Sequence, residues 1–239
     1  MQQTKPQFGI DAPGVVRNLG LIGIVLLMAF AIASASGRVD IGSMTLYPGC
    51  SFVAGSLLML LTSTVGKPFV IRRMIRQLHL RGDEQVLDVG CGRGLLLIEA
   101  ARQLPHGRAT GLDLWSTKDQ SGNAADATHR NAALAGVTDR VQIDTGDMRA
   151  MPYPDHSFDV IISSLAIHNL PNSADRDQAI REIVRVLKPD GHLALLDFRC
   201  TGAYAYSLRE AGALKVRRSW PILAMFPPVW IVWAQGKRA

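Results

Sequence analysis

An apolar run, Val86-Leu-Asp-Val89, passes directly into Gly90-Cys-Gly-Arg-Gly94 and then into Leu95-Leu-Leu-Ile98. A short apolar stretch closed by glycine reads as a buried strand, and the residues beyond the glycines read as the start of a helix. Glycines at alternate positions between the two let the backbone turn sharply and approach a ligand closely. A strand of this kind needs neighbours in a sheet and helices to cover it, so the unit constrains the fold more than any other segment.

The chain downstream supplies those neighbours. Strands are predicted at Gln85–Val89, Ala109–Asp113, Arg140–Asp144, Phe158–Ser163 and His192–Phe198, with helices at about 93–104, 125–135, 174–187 and 203–211. Regular alternation implies a parallel sheet covered on both faces. The tail adds Leu214–Ser219 and Val229–Ala234 around a turn containing Pro221, Pro227 and Pro228. Two strands joined this closely must run antiparallel.

The first 66 residues are of another kind. Hydrophobic residues make up 48% of the 239 and charged residues only 19%, and the apolar excess lies before position 67. Asn18 to Gly37 carries no charge, and neither does Ile41 to Gly66. Each is long enough to cross a bilayer as a helix, giving an expected hairpin with spans at about 18–36 and 46–65, the second starting near Pro48. Lys5 and Arg17 precede it and Lys67, Arg72, Arg73 and Arg76 follow it, whereas the connecting loop holds only Arg38 beside Asp40, which predicts both ends in the cytoplasm. The small residues Ala33-Ser-Ala-Ser36 also permit a cleaved signal peptide, a reading that leaves the second run unexplained. Residues 67–81 place Ile71, Met74, Ile75 and Leu78 on one face, as either an interfacial helix or the first helix of the following domain would. The expected division is therefore 1–66 for the hairpin and 67–239 for an α/β domain.

The net charge of +6 raises nucleic acid or an anionic membrane surface as partners, but no nucleic-acid recognition motif accompanies it. Cys50, Cys91 and Cys200 form no C-x-x-C pair, so neither a disulfide framework nor a metal site is expected.

Spacing narrows the ligand. A dinucleotide loop of the form G-x-G-x-x-G would need its third glycine at position 95, which is Leu95, and this disfavours a nicotinamide-dependent oxidoreductase. The observed G-x-G-x-G, preceded by Asp88, resembles motif I of the class I S-adenosylmethionine (SAM) methyltransferases, in particular the group acting on quinones, arsenite and other small molecules. Four further segments in order strengthen the resemblance: Gly111-Leu-Asp-Leu114, Gly146-Asp-Met148, Phe158 to Leu170 and the Lys188-Pro-Asp-Gly191 turn. The resemblance implies a Rossmann-like sheet, parallel with an antiparallel C-terminal hairpin. It implies SAM as cofactor, with Asp88 near its ammonium and Gly90, Cys91, Gly92 and Gly94 wrapping its methionine part. Asp113 would accept from the ribose hydroxyls, Leu114 would touch the adenine, Asp147 and Met148 would bind that ring, and Ser163 completes the expected site.

Methyl transfer from a sulfonium is an in-line displacement that asks the protein mainly to orient two reactants, with removal of a proton only where the acceptor requires it. His168, after the fourth strand, is the candidate general base, and Asn169, Tyr204 and Tyr206 are weaker candidates for the acceptor pocket. The Asn-Pro-Pro-Tyr arrangement of enzymes that methylate DNA amines or protein glutamine is absent, since Ser163-Ser-Leu-Ala166 stands there. A small or lipophilic acceptor, a membrane as partner and no nucleic acid are the resulting expectations. A SAM-binding sensor or scaffold without turnover fits the same motifs. The loop Trp115 to Asn123 is longer than the family's usual turn and is read as an adenosine shield, a contact for a partner or a plain polar loop.

Overall fold

The computed structural model describes residues 5–115 and 124–237. Two apolar helices come first, α1 (Pro13–Ala35) and α2 (Val39–Leu61). Each has 23 residues and so rises roughly 34 Å at 1.5 Å per residue. Both are long and apolar enough to cross a membrane. Small residues set their contact: Gly23 faces Val53 and Gly49 with no room for a Cβ, and the Ser56 hydroxyl donates to the Val16 carbonyl at 2.8 Å.

The boundaries differ from expectation. α1 begins at Pro13 rather than near residue 18, because proline suits the first helical turn. α2 begins at Val39, and Pro48 lies inside it rather than at its start. A proline removes one helical donor, and close packing on α1, where Gly49 meets Leu27, keeps the first turns in place.

A π-helical turn, Thr62–Gly66, leads from α2 without a break into α3 (Lys67–Gln77). Val70, Ile71, Met74 and Ile75 are buried among core residues, while Arg72, Arg73 and Arg76 stay exposed. This corrects the interfacial alternative, since the apolar face of α3 is spent on the sheet.

Seven strands follow: β1 (Gln85–Val89), β2 (Arg108–Asp113), β3 (Val141–Thr145), β4 (Phe158–Ser164), β5 (Leu187–Asp197), β6 (Leu214–Arg218) and β7 (Trp230–Gln235). Their order is β3-β2-β1-β4-β5-β7-β6, with β1 to β5 parallel and β7 antiparallel to both neighbours. Between them run α4 (Leu95–Ala101), α5 (Ala125–Ala135), α6 (Ser173–Val186) and α7 (Thr201–Glu210). Alternate strand residues feed two cores: Val86, Val160, Ile162, Ala194 and Leu196 join α3 and α4 on one face, and Leu87, Ile161, Leu193 and Leu195 join α6 and α7 on the other. Burial on both faces is why these strands read as unbroken apolar runs. α4 starts two residues later than expected because Gly94, at φ +83°, stands outside the helix as its cap. The sheet order reverses at β1 and β4, so the carboxyl ends of β1, β2 and β4 open a crevice there.

Candidate functional site

The glycine loop leaves β1 at that crevice. The N–H groups of Gly90 and Cys91 donate to the Leu112 carbonyl at 2.8 and 3.2 Å, which pulls the loop over the end of β2. Gly90 has φ +74°, and a Cβ there would run into the Ala166 methyl. Two side chains of α5 hold the loop from outside: the Thr128 hydroxyl donates to the Gly92 carbonyl at 2.6 Å, and the Asn131 amide donates to the Arg93 carbonyl at 2.9 Å. Asn131 also exchanges two hydrogen bonds of 2.9 Å with the backbone N–H and carbonyl of Gln7, so the segment before α1 is tied to the same loop.

A cavity lies over this turn. Asp88, Gly90, Cys91, Gly92, Asp113 and Leu114 line it, and Gly146, Met148, Ser164 and Ala166 close it from β3 and β4. The segment before α1 supplies Phe8 and Asp11, the latter paired with Lys67 at 2.6 Å. Asp113 accepts from the Gly92 N–H at 2.8 Å and from the Trp115 N–H at 2.7 Å, so its carboxylate is fixed at the rim. The remainder of the loop after Trp115, residues 116–123, lies outside the described residues.

Asp88 is fully buried, and its Oδ2 has no hydrogen-bond partner. Burial, aided by the negative charge of Asp113, pushes its carboxyl pKa up to about 8, against the lowering influence of the Leu97 N–H and of Lys67. A desolvated acid with an unmatched oxygen at a cavity wall suits a ligand that brings a cation, as the ammonium of SAM would. Cys91 is no nucleophile here: burial, then Asp88 and Asp113, raise its thiol pKa well above the usual value.

Three expected residues stand elsewhere. Ser163 is buried behind the cavity with its hydroxyl donating to the Val89 carbonyl at 2.7 Å; alternation along β4 puts Ser164 on the wall instead, its buried Oγ without a partner. Asp147 turns away, because Arg149 grips its carboxylate at 2.7 to 3.1 Å, and only its neighbours Gly146 and Met148 reach the cavity. Gly94 caps α4 outside the lining.

Beside the first cavity lies a second, of about 600 Å³. The two share Asp11, Leu165 and Asn169 as a common wall. It is lined by His168 and Phe198, by Val15 and Met59 from the ends of the apolar helices, and by Ser63 from the π-helical turn. His168 Nδ1 lies 2.9 Å from Asp197 Oδ1 and 3.1 Å from Oδ2, and the ring packs edge-on against Phe198 at 4.7 Å between centroids. Asp197 is 1% exposed and also accepts from the Phe198 N–H at 2.8 Å and the Tyr204 hydroxyl at 3.1 Å. Burial first, and Asp197 next, push the Tyr204 hydroxyl pKa up, so Tyr204 remains a donor. Tyr204 thus sits behind Asp197 rather than in the pocket, and Tyr206 is exposed on the far side of α7.

Sequence reasoning did not single out Asp197, Asn131, Thr128, Ser164 or Lys67. Asp197 had one legible signal, a charged residue closing the apolar run Leu193–Leu196. Ser164 is the neighbour of the serine that was expected, and Asn131, Thr128 and Lys67 act through contacts between distant segments.

The fold is a Rossmann-like sheet of the kind found in SAM-dependent methyltransferases, with the cavity at the crevice where the strand order reverses. Residues 87–195 match the family model described as "Methyltransferase domain". That segment is similar to a methyltransferase domain. The chain is 32% identical over 127 residues to a demethylmenaquinone methyltransferase of Lactobacillus johnsonii, covering 53% of this chain and 48% of that protein. It is 37% identical over 126 residues to a 27-O-demethylrifamycin SV methyltransferase of Amycolatopsis mediterranei, covering 53% and 43%. A solved SAM-dependent methyltransferase from Aquifex aeolicus shares the fold at a TM-score of 0.55 and 19% identity, covering 69% of this chain and 88% of that one. The chain spans about half the length of the curated relatives it matches.

Proposed function

We propose that this chain transfers the methyl group of SAM to a small lipophilic acceptor, and that it does so while anchored in a membrane by α1 and α2 with its catalytic domain on the cytoplasmic side. The observation that carries the reading is the adjacency of the two cavities, with His168 lining the one that the apolar helices wall. The two relatives named above act, by name, on a demethylmenaquinone and on a demethylrifamycin. Both are small molecules, which fits a cavity of this size.

In this reading Asp88 takes the cofactor's ammonium, Asp113 the ribose hydroxyls, and Leu114 and Met148 the adenine, while Gly90, Cys91 and Gly92 leave the backbone open to the methionine part. When bound, SAM supplies a methyl group already activated by the sulfonium charge. His168 does the remaining chemistry. Asp197 accepts its Nδ1–H and so leaves the lone pair on Nε2, which takes the proton of an acceptor hydroxyl, or of a carbon acidified by one, as that atom attacks. Leu165 and Asn169, shared by both cavities, hold the two reactants at the distance an in-line displacement needs.

The membrane reading is supported by two helices of sufficient length and by the basic residues at their outer ends. The division between anchor and domain falls at Gly66 and Lys67, where the helix turns from lipid-like to amphipathic. Membranes containing the chain, incubated with methyl-labelled SAM and a lipid extract, should yield a labelled lipophilic product, and the His168→Gln variant should not. Label confined to water-soluble products would overturn the acceptor class.

A further inference from the structure

The segment between β6 and β7 is built to be seen from outside. Ile222 and Val229 exchange backbone hydrogen bonds of 2.8 and 3.3 Å, and the Ser219 N–H donates to the Ile231 carbonyl at 2.8 Å, so the loop is pinned at two levels. Met225 and Val229 anchor it in the core. From this fixed backbone Trp220 is 90% exposed, Leu223 76% and Phe226 42%. A loop held this firmly does not fold its large apolar groups inward, and three of them together mark a contact surface.

Its position says what that surface meets. Gly66, at the end of the π-helical turn, lies directly under the Ala224 carbonyl, where a Cβ would collide with it. Phe226 and Pro227 share the second cavity with Val15 and Met59, at the end of α1 and α2 that adjoins the catalytic domain. The loop therefore stands level with the end of the hairpin, and on the helix beside Gly66 the apolar side chains of Val65 and Phe69 are exposed as well. At the end of β6 that leads into the loop, Arg217 and Arg218 stack on Trp233 and Trp230 at 5.6 and 4.5 Å, so two cations are fixed three and two residues before Trp220. Tryptophan at the tip with arginine behind it is the order of groups that a bilayer interface selects.

We infer that the β6–β7 loop dips Trp220, Leu223 and Phe226 into the cytoplasmic leaflet, so that the second cavity, which Phe226 and Pro227 rim, receives its acceptor from the lipid rather than from water. The inference rests on the membrane reading of α1 and α2. It adds a third membrane contact contributed by the catalytic domain itself.

Tryptophan fluorescence tests the two separately, because the four tryptophans, Trp115, Trp220, Trp230 and Trp233, all lie outside the hairpin. The full chain is reconstituted in phosphatidylcholine and phosphatidylglycerol vesicles, with and without lipids brominated high on the acyl chain. Wild-type emission should be quenched by the brominated lipid, and Trp220→Phe should lose most of that quenching. Leu223→Glu, which keeps the fluorophore, should shift Trp220 emission to the red and protect it from the quencher. Equal quenching in wild type and Trp220→Phe, or none in either, overturns the inference. Alkaline carbonate extraction reads the hairpin independently: a protein that resists extraction yet shows no Trp220 quenching keeps its anchor and loses only the loop contact.

Discussion

His168 Nδ1 and Asp197 Oδ1 lie 2.9 Å apart in a setting where Asp197 has no solvent and three other donors are fixed around it. The imidazole is therefore held in one orientation and one tautomer. Asp197→Asn keeps the size but offers an amide that can present a donor to Nδ1 and move the proton to Nε2. We expect kcat to fall by about 10²-fold or more, the range general-base removal gives, with little change in SAM affinity measured by calorimetry. His168→Gln should fall as far, and the double variant no further, because the two act as one unit.

Tyr204 contributes to the same unit only through Asp197. Tyr204→Phe leaves one hydrogen bond unmade at a buried carboxylate that has other donors, so stability should drop by about 1–2 kcal/mol. The rate should change only a few-fold, as read by thermal unfolding beside initial rates. A loss as large as that of Asp197→Asn would place the tyrosine hydroxyl in the chemistry itself.

SAM affinity should depend on pH through Asp88. In the free protein its carboxyl pKa stands at about 8, so at neutral pH it is mostly protonated. A bound ammonium favours the ionised form and lowers that pKa, hence binding releases a proton. Affinity should climb as pH rises from 6 towards 8, by up to about tenfold per unit for a single coupled proton, and level off above the free-state value. Calorimetry in buffers of different ionisation enthalpy counts the proton, and Asp88→Asn should flatten the profile.

Asp113 serves the loop before it serves any ligand, since its two oxygens hold the Gly92 and Trp115 N–H groups. Asp113→Ala should weaken SAM binding by at least about tenfold, the effect of about 1.4 kcal/mol expected from losing even one charge-assisted hydrogen bond. Gly90→Val should abolish it, because any side chain there meets Ala166. Unchanged affinity in both variants would dismantle the assigned site.

Asn131 ties the segment around Gln7 to the glycine loop. Asn131→Ala removes all three hydrogen bonds. Thermolysin should then cut ahead of Phe8 sooner than in wild type, and SAM affinity should fall several-fold while the melting temperature drops by only a few degrees. Protection unchanged from wild type would separate the segment from the cofactor loop.

Much of this was legible along the chain because it is local. Val86 to Val89 had to be a buried strand, the glycines after it had to turn, and the tail strands had to pair antiparallel, each for reasons of side-chain period and loop length. The ends of α2 were less legible: Pro48 looked like a start until packing on α1 carried the helix past it. Ser163 and Ser164 are a sharper case, since neighbouring strand residues point to opposite faces and only the folded sheet shows which face is the cavity wall.

The sequence by itself determined the class of sheet, the place of the glycine loop, the acids at the ends of β1 and β2 and the presence of two long apolar helices, because each follows from residues close together in the chain. Only the tertiary structure decided that Asp197 orients His168, that Asn131 reaches Gln7, that Asp147 is taken by Arg149, and that the apolar helices wall a cavity beside the cofactor crevice. Those contacts join segments whose separation along the chain carries no period. Their energy depends on burial and direction, which exist only once the chain has folded.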